Sequence, residues 1–151
     1  MHNNEHIGPL IKIADNYIEQ HLNEVSEKLG LTSGQMHILH FICLNSENGV
    51  NQRKIEECFE LSHATVSGIV QRLETKNFVN PVQSENDKRS KTVFPTKRAL
   101  ECDEEMSRFI EDSEKHFTEG FSEEEIKTLR NYLIRILANL GVNPVKPEGR
   151  E

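Results

Sequence analysis

Residues 61–74 carry hydroxyl, imidazole, amide and guanidinium groups between apolar residues at helical spacing. The candidate contact residues of this helix are Ser62, His63, Ala64, Thr65, Ser67, Gln71 and Arg72. Gln71 can pair with adenine in a major groove, and Ala64 and Thr65 can contact a thymine methyl group. Ser62 has the residue type of a helix N-cap, a role that leaves backbone N–H groups available to a phosphate. The pattern predicts a helix with one face that packs and another that meets base edges.

A cluster of cations follows in a predicted β-hairpin from Val79 to Phe94. Its tip, residues 84–91, joins turn-forming Ser, Asn and Asp residues to Lys and Arg. The candidate contact residues of the hairpin are Asp87, Lys88, Arg89 and Lys91. We expect the two lysines, together with Arg72 and Lys76, to contact the DNA backbone more than the bases. The competing interpretation of each is a solvated charge.

The net charge of −7 is divided unevenly along the chain. Residues 51–98 contain nine Lys or Arg against six Asp or Glu, which gives a local charge of +3. The other residues together carry nine cations against nineteen acids, or −10. This separation concentrates positive potential where phosphates would lie and leaves the remainder acidic. It predicts weak nonspecific binding to DNA and a clear salt dependence.

Apolar periodicity and capping signals predict five more helices around these elements. Thr32, Asn51, Thr96 and Ser122 have the residue types of N-caps, and the first and last of them open T-x-x-Q and S-x-x-E capping boxes. With their caps, the six helices are predicted at residues 7–29, 32–45, 51–59, 62–74, 96–118 and 122–140.

The order of a short helix, a turn, a second helix and a basic hairpin predicts a winged helix-turn-helix, mainly α with a small β-hairpin wing. We expect the DNA-binding domain at 31–98, a connecting helix at 99–118, and a dimerisation region made of 1–30 and 119–151. The first and last helices carry more apolar surface than such a core needs, and a palindromic operator calls for two copies. The alternative is that both helices pack only on their own domain.

The composition bounds the remaining possibilities. A chain of 151 residues with 28% charged and 35% hydrophobic residues is the size and type of one soluble domain. No apolar run approaches the roughly 20 residues that a membrane span requires, so we expect a cytoplasmic protein without a membrane partner. Three cysteines without a CxxC pair argue against a disulfide framework, and the acidic neighbours of Cys102, Glu101 and Asp103, would raise its thiol pKa.

The chain resembles the MarR family of winged-helix transcription regulators along nearly its whole length. The residues that carry the resemblance are an L-T-x-x-Q-x-x-x-L segment at 31–39, the helix at 61–74, and a D-x-R triplet at 87–89. The resemblance implies that Arg89 enters a DNA minor groove and that Asp87 helps to hold the tip of the hairpin.

Five residues depart from the family pattern, and two of them, Pro95 and Ala99, depart from the usual L-T-x-x-G after the wing. Glu56 stands where the family usually has a small alanine, Asn77 where it has glycine, and Gly68 where it often has a basic residue. Asn77 can adopt the left-handed conformation that glycine supplies. Since a fully buried carboxylate is costly, either Glu56 reaches solvent or the two helices of the motif splay slightly.

These observations predict a homodimeric, sequence-specific DNA-binding regulator that acts as a repressor on a palindromic operator. A small-molecule effector that relieves repression is part of this hypothesis, and no cofactor is predicted. An enzyme is not expected, because the sequence lacks a glycine-rich phosphate loop, a nucleophile elbow and a paired catalytic motif.

Two alternatives stay open at this point. The acidic total charge and Glu56 would suit a winged-helix module that binds protein, although the basic hairpin argues against it. A zinc-responsive regulator would use histidines and acids, here His21, His37, His40 and His116 with Glu19 and Glu105. The resemblance places His37 at one zinc ligand position, but Glu105 and Phe109 stand where the later histidine pair belongs, so the ligand set is incomplete.

Overall fold

The computed structural model describes residues 6–87 and 90–143, which form six helices and three short strands. In chain order these are α1 (Ile7–Lys28), α2 (Ser33–Leu44), β1 (Val50–Asn51), α3 (Gln52–Phe59), α4 (His63–Thr75), β2 (Val79–Gln83), β3 (Lys91–Pro95), α5 (Lys97–Phe117) and α6 (Glu123–Asn139). The predicted fold class, mainly α with a small β-hairpin, is confirmed. Lys88 and Arg89 lie outside the described residues.

The helices begin where the sequence places their caps. Thr32 Oγ1 accepts from the Gln35 N–H, and the Gln35 side chain accepts from the Thr32 N–H, each at 3.2 Å. Ser122 and Glu125 form the same reciprocal pair at the start of α6. Asn51 and Thr96 also accept from the first turns of α3 and α5. Because each cap satisfies a backbone N–H that has no partner within its helix, local sequence alone sets these starting points.

The three strands form one antiparallel sheet in the order β1–β3–β2. The predicted hairpin pairs from Val79 opposite Pro95 to Gln83 opposite Lys91. The sequence analysis missed β1, whose Val50 lies opposite Val93 on the other edge of β3. Gly49, which leads into β1, has a φ of +66°, and a Cβ there would lie 2.8 Å from carbons of Thr92 and Phe94. Only glycine fits this approach to the hairpin.

Helix α2 occupies the centre of the core. Seven of its twelve residues are buried, and it packs against α1, α4, α5 and β3. Ile42 is fully buried, as are Ile55, Val66, Leu73, Phe78 and Val93 from the elements that surround it. Helices α1, α4 and α5 and the hairpin therefore close on one central helix, while α3 packs on α4 and the sheet. This arrangement leaves the opposite face of α4 toward solvent.

Helices α1 and α6 leave large apolar side chains exposed. The exposed apolar residues are Ile7, Leu10, Ile11, Ile13, Tyr17 and Ile18 on α1, and Leu129, Tyr132, Leu133 and Ile134 on α6. Helix α6 has no buried residue and makes no extensive packing contact with another described element. Neither of these helices, nor any other within the described residues, has the length and apolar character needed to cross a membrane.

Candidate nucleic-acid interface

The first turn of α4 is set by Ser62. Its Oγ accepts from the Thr65 N–H at 3.2 Å and lies 2.8 Å from the Thr65 hydroxyl oxygen. Val66, Val70 and Leu73 point the apolar face of the helix into the core. The predicted cap is confirmed, and it ties two of the candidate contact hydroxyls to each other at the exposed start of the helix.

The other candidate contact residues of α4 share the face away from the core. Six of the seven are exposed, namely Ser62, His63, Ala64, Thr65, Gln71 and Arg72, whereas Ser67 is half-buried. No atom within 4 Å of Gly68 would meet an added side chain, so its small size is not required by packing. The structure therefore brings these candidates together on one side of a single helix.

A chain of polar side chains joins α3 to α4, and the sequence analysis did not foresee it. His63 Nδ1 lies 2.6 Å from Glu56 Oε1, and Gln52 Nε2 donates to Ser67 Oγ at 2.7 Å. The Ser67 hydroxyl is also 3.5 Å from His63 Nε2. The expectation that Glu56 reaches solvent is confirmed in part, since its side chain is 19% exposed. Its carboxyl is also paired with a histidine seven residues further on, which was not predicted.

The turns that flank α4 use left-handed backbone at non-glycine residues. Glu60, which ends α3, has a φ of 52°, and Asn77, which follows α4, has a φ of 61°. The interpretation of Asn77 as a substitute for glycine is confirmed. Asn is one of the residues that adopt this conformation at the lowest cost, whereas Glu60 is held in it by the tight connection between α3 and α4.

Two cations beside Asn77 are used in internal contacts. The Lys76 ammonium donates to the Gly30 carbonyl, and Arg98 donates to the Lys76 carbonyl at 2.9 Å. The Arg98 guanidinium also lies over the Phe78 ring, 4.5 Å from its centroid. Lys76 was expected at the DNA backbone, but in this structure its charge ties the end of α4 to the end of α1.

The hairpin tip is fastened to the start of α3. Ser84 N–H donates to the Ser90 carbonyl at 3.0 Å, Ser90 N–H donates to the Asp87 carbonyl at 3.1 Å, and Asn51 Nδ2 donates to Ser90 Oγ at 2.6 Å. Asp87 and Lys91 are both exposed, on either side of the undescribed pair Lys88 and Arg89. The roles assigned to these four wing residues stay predictions.

Comparison with known proteins places this architecture in a family. A sequence profile described as the MarR family matches residues 29–90. The HTH-type transcriptional regulator YwoH of Bacillus subtilis strain 168 is 30% identical over 133 residues, which cover 88% of this chain and 94% of the relative. The chain belongs to the MarR family. It is therefore a transcription regulator with a DNA-binding winged helix, as its sequence predicted.

Solved MarR-family structures have the same fold. The transcription regulator MarR of Oenococcus oeni PSU-1 is 28% identical and aligns with a TM-score of 0.70 over 88% of this chain and 99% of its own. A putative MarR-family regulator of Listeria monocytogenes, solved in complex with 26mer DNA, is 24% identical and aligns with a TM-score of 0.76 over 93% of this chain and 99% of its own. At this identity the second likeness shows the fold alone.

Three of the four histidines considered for zinc each lie beside a different polar group in this MarR-family chain. His37 Nε2 lies 3.5 Å from Glu19, His40 Nδ1 lies 2.6 Å from Asp103, and His21 Nδ1 lies 2.8 Å from the Tyr17 carbonyl. Among residues 6–87 and 90–143, no three His, Cys, Asp or Glu side chains are grouped so that they could hold a metal ion.

The cysteines are all free thiols with weak acidity where a shift is resolved. Burial raises the pKa of Cys43 to about 12. The pKa of Cys102 is also raised, first by burial and then by Glu105 and Glu101, against the opposing effect of Arg98. The predicted direction is confirmed, although burial is the main cause and Asp103 is not among the causes. Neither thiol is poised as a reactive thiolate.

A cavity of about 220 Å³ lies between α1 and α5. Its wall combines three aromatic rings and an isoleucine with one carboxylate, one hydroxyl and two imidazoles, and consists of Tyr17, Ile18, His21, Phe109, Asp112, Ser113, His116 and Phe117. This cavity was not predicted from the sequence. Its residues come from two helices that are distant in sequence, so no local pattern marks it.

Proposed function

We propose that this protein is a homodimeric repressor that binds a palindromic operator. The observation that carries the proposal is the polar, solvent-facing side of α4 beside a basic hairpin, in the segment whose local charge is +3. Each subunit places α4 in one of two successive major grooves and its wing in the flanking minor groove. A repressor of this kind acts by blocking access to a promoter.

The contact residues are those named from the sequence. Ser62, His63, Ala64, Thr65, Ser67, Gln71 and Arg72 meet the major groove, and Asp87, Lys88, Arg89 and Lys91 form the contacts of the wing. The Listeria monocytogenes relative of the same fold was solved with DNA, which supports a DNA-binding use of this architecture. Exposure of six of the seven helix residues supports the same assignment.

The dimer forms through the helices at the two ends of the chain, within 1–30 and 119–151, while 31–98 is the DNA-binding domain and 99–118 connects the two parts. The support is the exposed apolar surface of α1 and α6, since soluble proteins seldom leave contiguous patches of this kind uncovered. A two-fold axis through these helices would also relate the two DNA-binding domains of the dimer by the symmetry of a palindromic operator.

A small organic effector relieves repression by binding the cavity between α1 and α5. Aromatic walls with a few polar groups are typical of small-molecule sites. The cavity lies between the proposed dimerisation helix α1 and α5, and α5 follows the hairpin directly in the chain. A ligand bound there would therefore change the preferred distance between the two DNA-binding domains of the dimer.

The decisive experiment is selection of bound sequences from a random duplex pool with the purified protein at moderate salt. The expected result is a palindrome whose half-sites are separated by about one helical turn. A folded dimer that enriches no sequence at low or moderate salt, with or without candidate effectors, would overturn the proposal and favour a protein-binding module.

Substitution of the wing arginine tests the second contact. Arg89→Ala should weaken binding to the selected operator by about 1–3 kcal/mol, because an arginine in a narrow minor groove gains from its enhanced negative potential. Arg108→Ala is the matched control, since it removes the same charge from an exposed position on α5, outside the proposed DNA-contact and dimerisation surfaces. Fluorescence anisotropy measures both affinities, and equal affinities would remove the wing from the proposal.

A further inference from the structure

The pair formed by Glu56 and His63 fixes which ring nitrogen of His63 carries the proton at the start of α4. A carboxylate only accepts hydrogen bonds, so the proton on the His63 ring must sit on Nδ1, 2.6 Å from Glu56 Oε1. In the neutral ring, Nε2 is then an acceptor with one lone pair. The imidazole therefore offers its surroundings an acceptor rather than a donor.

The rest of the chain of contacts agrees with this direction. Gln52, which is buried, donates to Ser67 Oγ at 2.7 Å and leaves the Ser67 proton free to point at His63 Nε2. That last contact is 3.5 Å long, at the limit of a hydrogen bond. It is weak enough to be exchanged for a stronger donor that approaches from solvent.

Glu56 and His63 differ strongly in how far their side chains are exposed to solvent. The Glu56 side chain is 19% exposed and comes from the inner side of the motif, whereas the His63 side chain is 72% exposed at the first residue of α4. A half-buried carboxylate is anchored by its surroundings, while an exposed imidazole without a partner samples several rotamers and both tautomers. The carboxylate thus orients the ring, and the ring meets whatever approaches α4.

We propose that Glu56 is a positioning residue that makes His63 a reader of exocyclic amino groups in the major groove, carried there by adenine or cytosine. The inference rests on the proposed function, since it assumes that α4 enters the major groove. Guanine and thymine offer only acceptors at their own major-groove edges, so in each base pair one base carries the amino group that His63 would accept from and the other does not. Gln52 has the same positioning role for Ser67.

The test compares variants on the operator that the wild-type protein selects, with each base pair varied in turn. His63→Ala identifies the base pair that the ring reads. Removal of its exocyclic amino group, by purine in place of adenine or by pyrimidin-2-one in place of cytosine, should weaken binding of the wild-type protein by about fivefold or more. Glu56→Ala should lose this sensitivity. Glu56→Gln should retain it, because the amide oxygen still accepts from Nδ1–H, and Glu57→Gln is the control for loss of one acidic charge on the same helix.

Nitrogen-15 NMR reports the tautomer of His63 directly in the wild-type protein, so this measurement does not depend on whether a variant folds. At a pH where the His63 ring is neutral, its spectrum should show the tautomer protonated on Nδ1. The tautomer protonated on Nε2 would overturn the inference, as would unchanged affinity when the exocyclic amino group is removed, a sensitivity to that removal that persists in Glu56→Ala, or a His63→Ala variant with unchanged selectivity. Each of these results leaves the proposed function intact, whereas a wild-type protein that selects no operator overturns both.

Discussion

Helices α2 and α6 begin in the same way and end in opposite environments. Both open with a reciprocal capping box, at Thr32 and Gln35 and at Ser122 and Glu125. Seven of twelve residues are buried in α2, and none of seventeen in α6. Local signals therefore decide where each of these helices starts, whereas burial of its apolar face depends on whether the chain itself supplies a partner surface. For α6 the proposed partner is a second copy of the chain.

A charge placed on the exposed stripe of α6 is expected to have the largest effect. Leu133→Asp would bury one uncompensated carboxylate per subunit in the proposed interface, each at a cost of about 3–5 kcal/mol. The dimer should dissociate, as size-exclusion chromatography with light scattering would report. Asn131→Asp adds the same charge to the same helix outside the apolar stripe and should remain dimeric. A Leu133→Asp protein that is still a dimer would break the contrast between α2 and α6.

Truncation of matched apolar side chains on the two helices comes next. Ile42→Ala should lower the free energy of unfolding by about 2–5 kcal/mol, because Ile42 is fully enclosed by the core of its own chain. Leu129→Ala in the monomeric Leu133→Asp background should change it by less than about 0.5 kcal/mol, since that side chain is then solvated. Urea unfolding of both variants in this background gives the two values. Similar losses would show that α6 packs on its own domain.

Removal of the caps of α2 and α6 should have the smallest effect on stability. Thr32→Ala and Ser122→Ala should each cost about 1 kcal/mol of helix stability. For Thr32→Ala we expect the loss across the whole core, because α2 unfolds only with the domain. For Ser122→Ala we expect faster amide hydrogen exchange confined to the first turns of α6. Exchange that accelerates equally throughout both variants would contradict this separation.

The fold was largely predictable because its signals are local. Six helices were predicted, five of them with their caps, and the structure places every bound within one residue of the prediction. Strand β1 was missed since two residues are too short to show an alternating pattern, and Val50 is a strand residue only because β3 lies beside it.

The candidate site was predictable as a surface and not as a set of contacts. Spacing along α4 identifies which residues share a face, and the cap at Ser62 follows from its residue type. The pairing of Glu56 with His63, and the use of Lys76 at the Gly30 carbonyl, depend on the approach of separate helices. Periodicity carries no information about which side chains pair between helices. From the sequence alone, a residue such as Lys76 was therefore compatible with more than one role.

Asn51 is the last residue of β1 and the N-cap of α3, and its side chain also holds Ser90 at the tip of the hairpin. This contact ties the hairpin tip to the start of the helix motif and so restricts the distance between them before any duplex binds. In the proposed complex, less conformational freedom would then be lost on association. A mismatch between that distance and the grooves would have to be taken up by deformation of the DNA, so the stiffness of a site would contribute to its affinity.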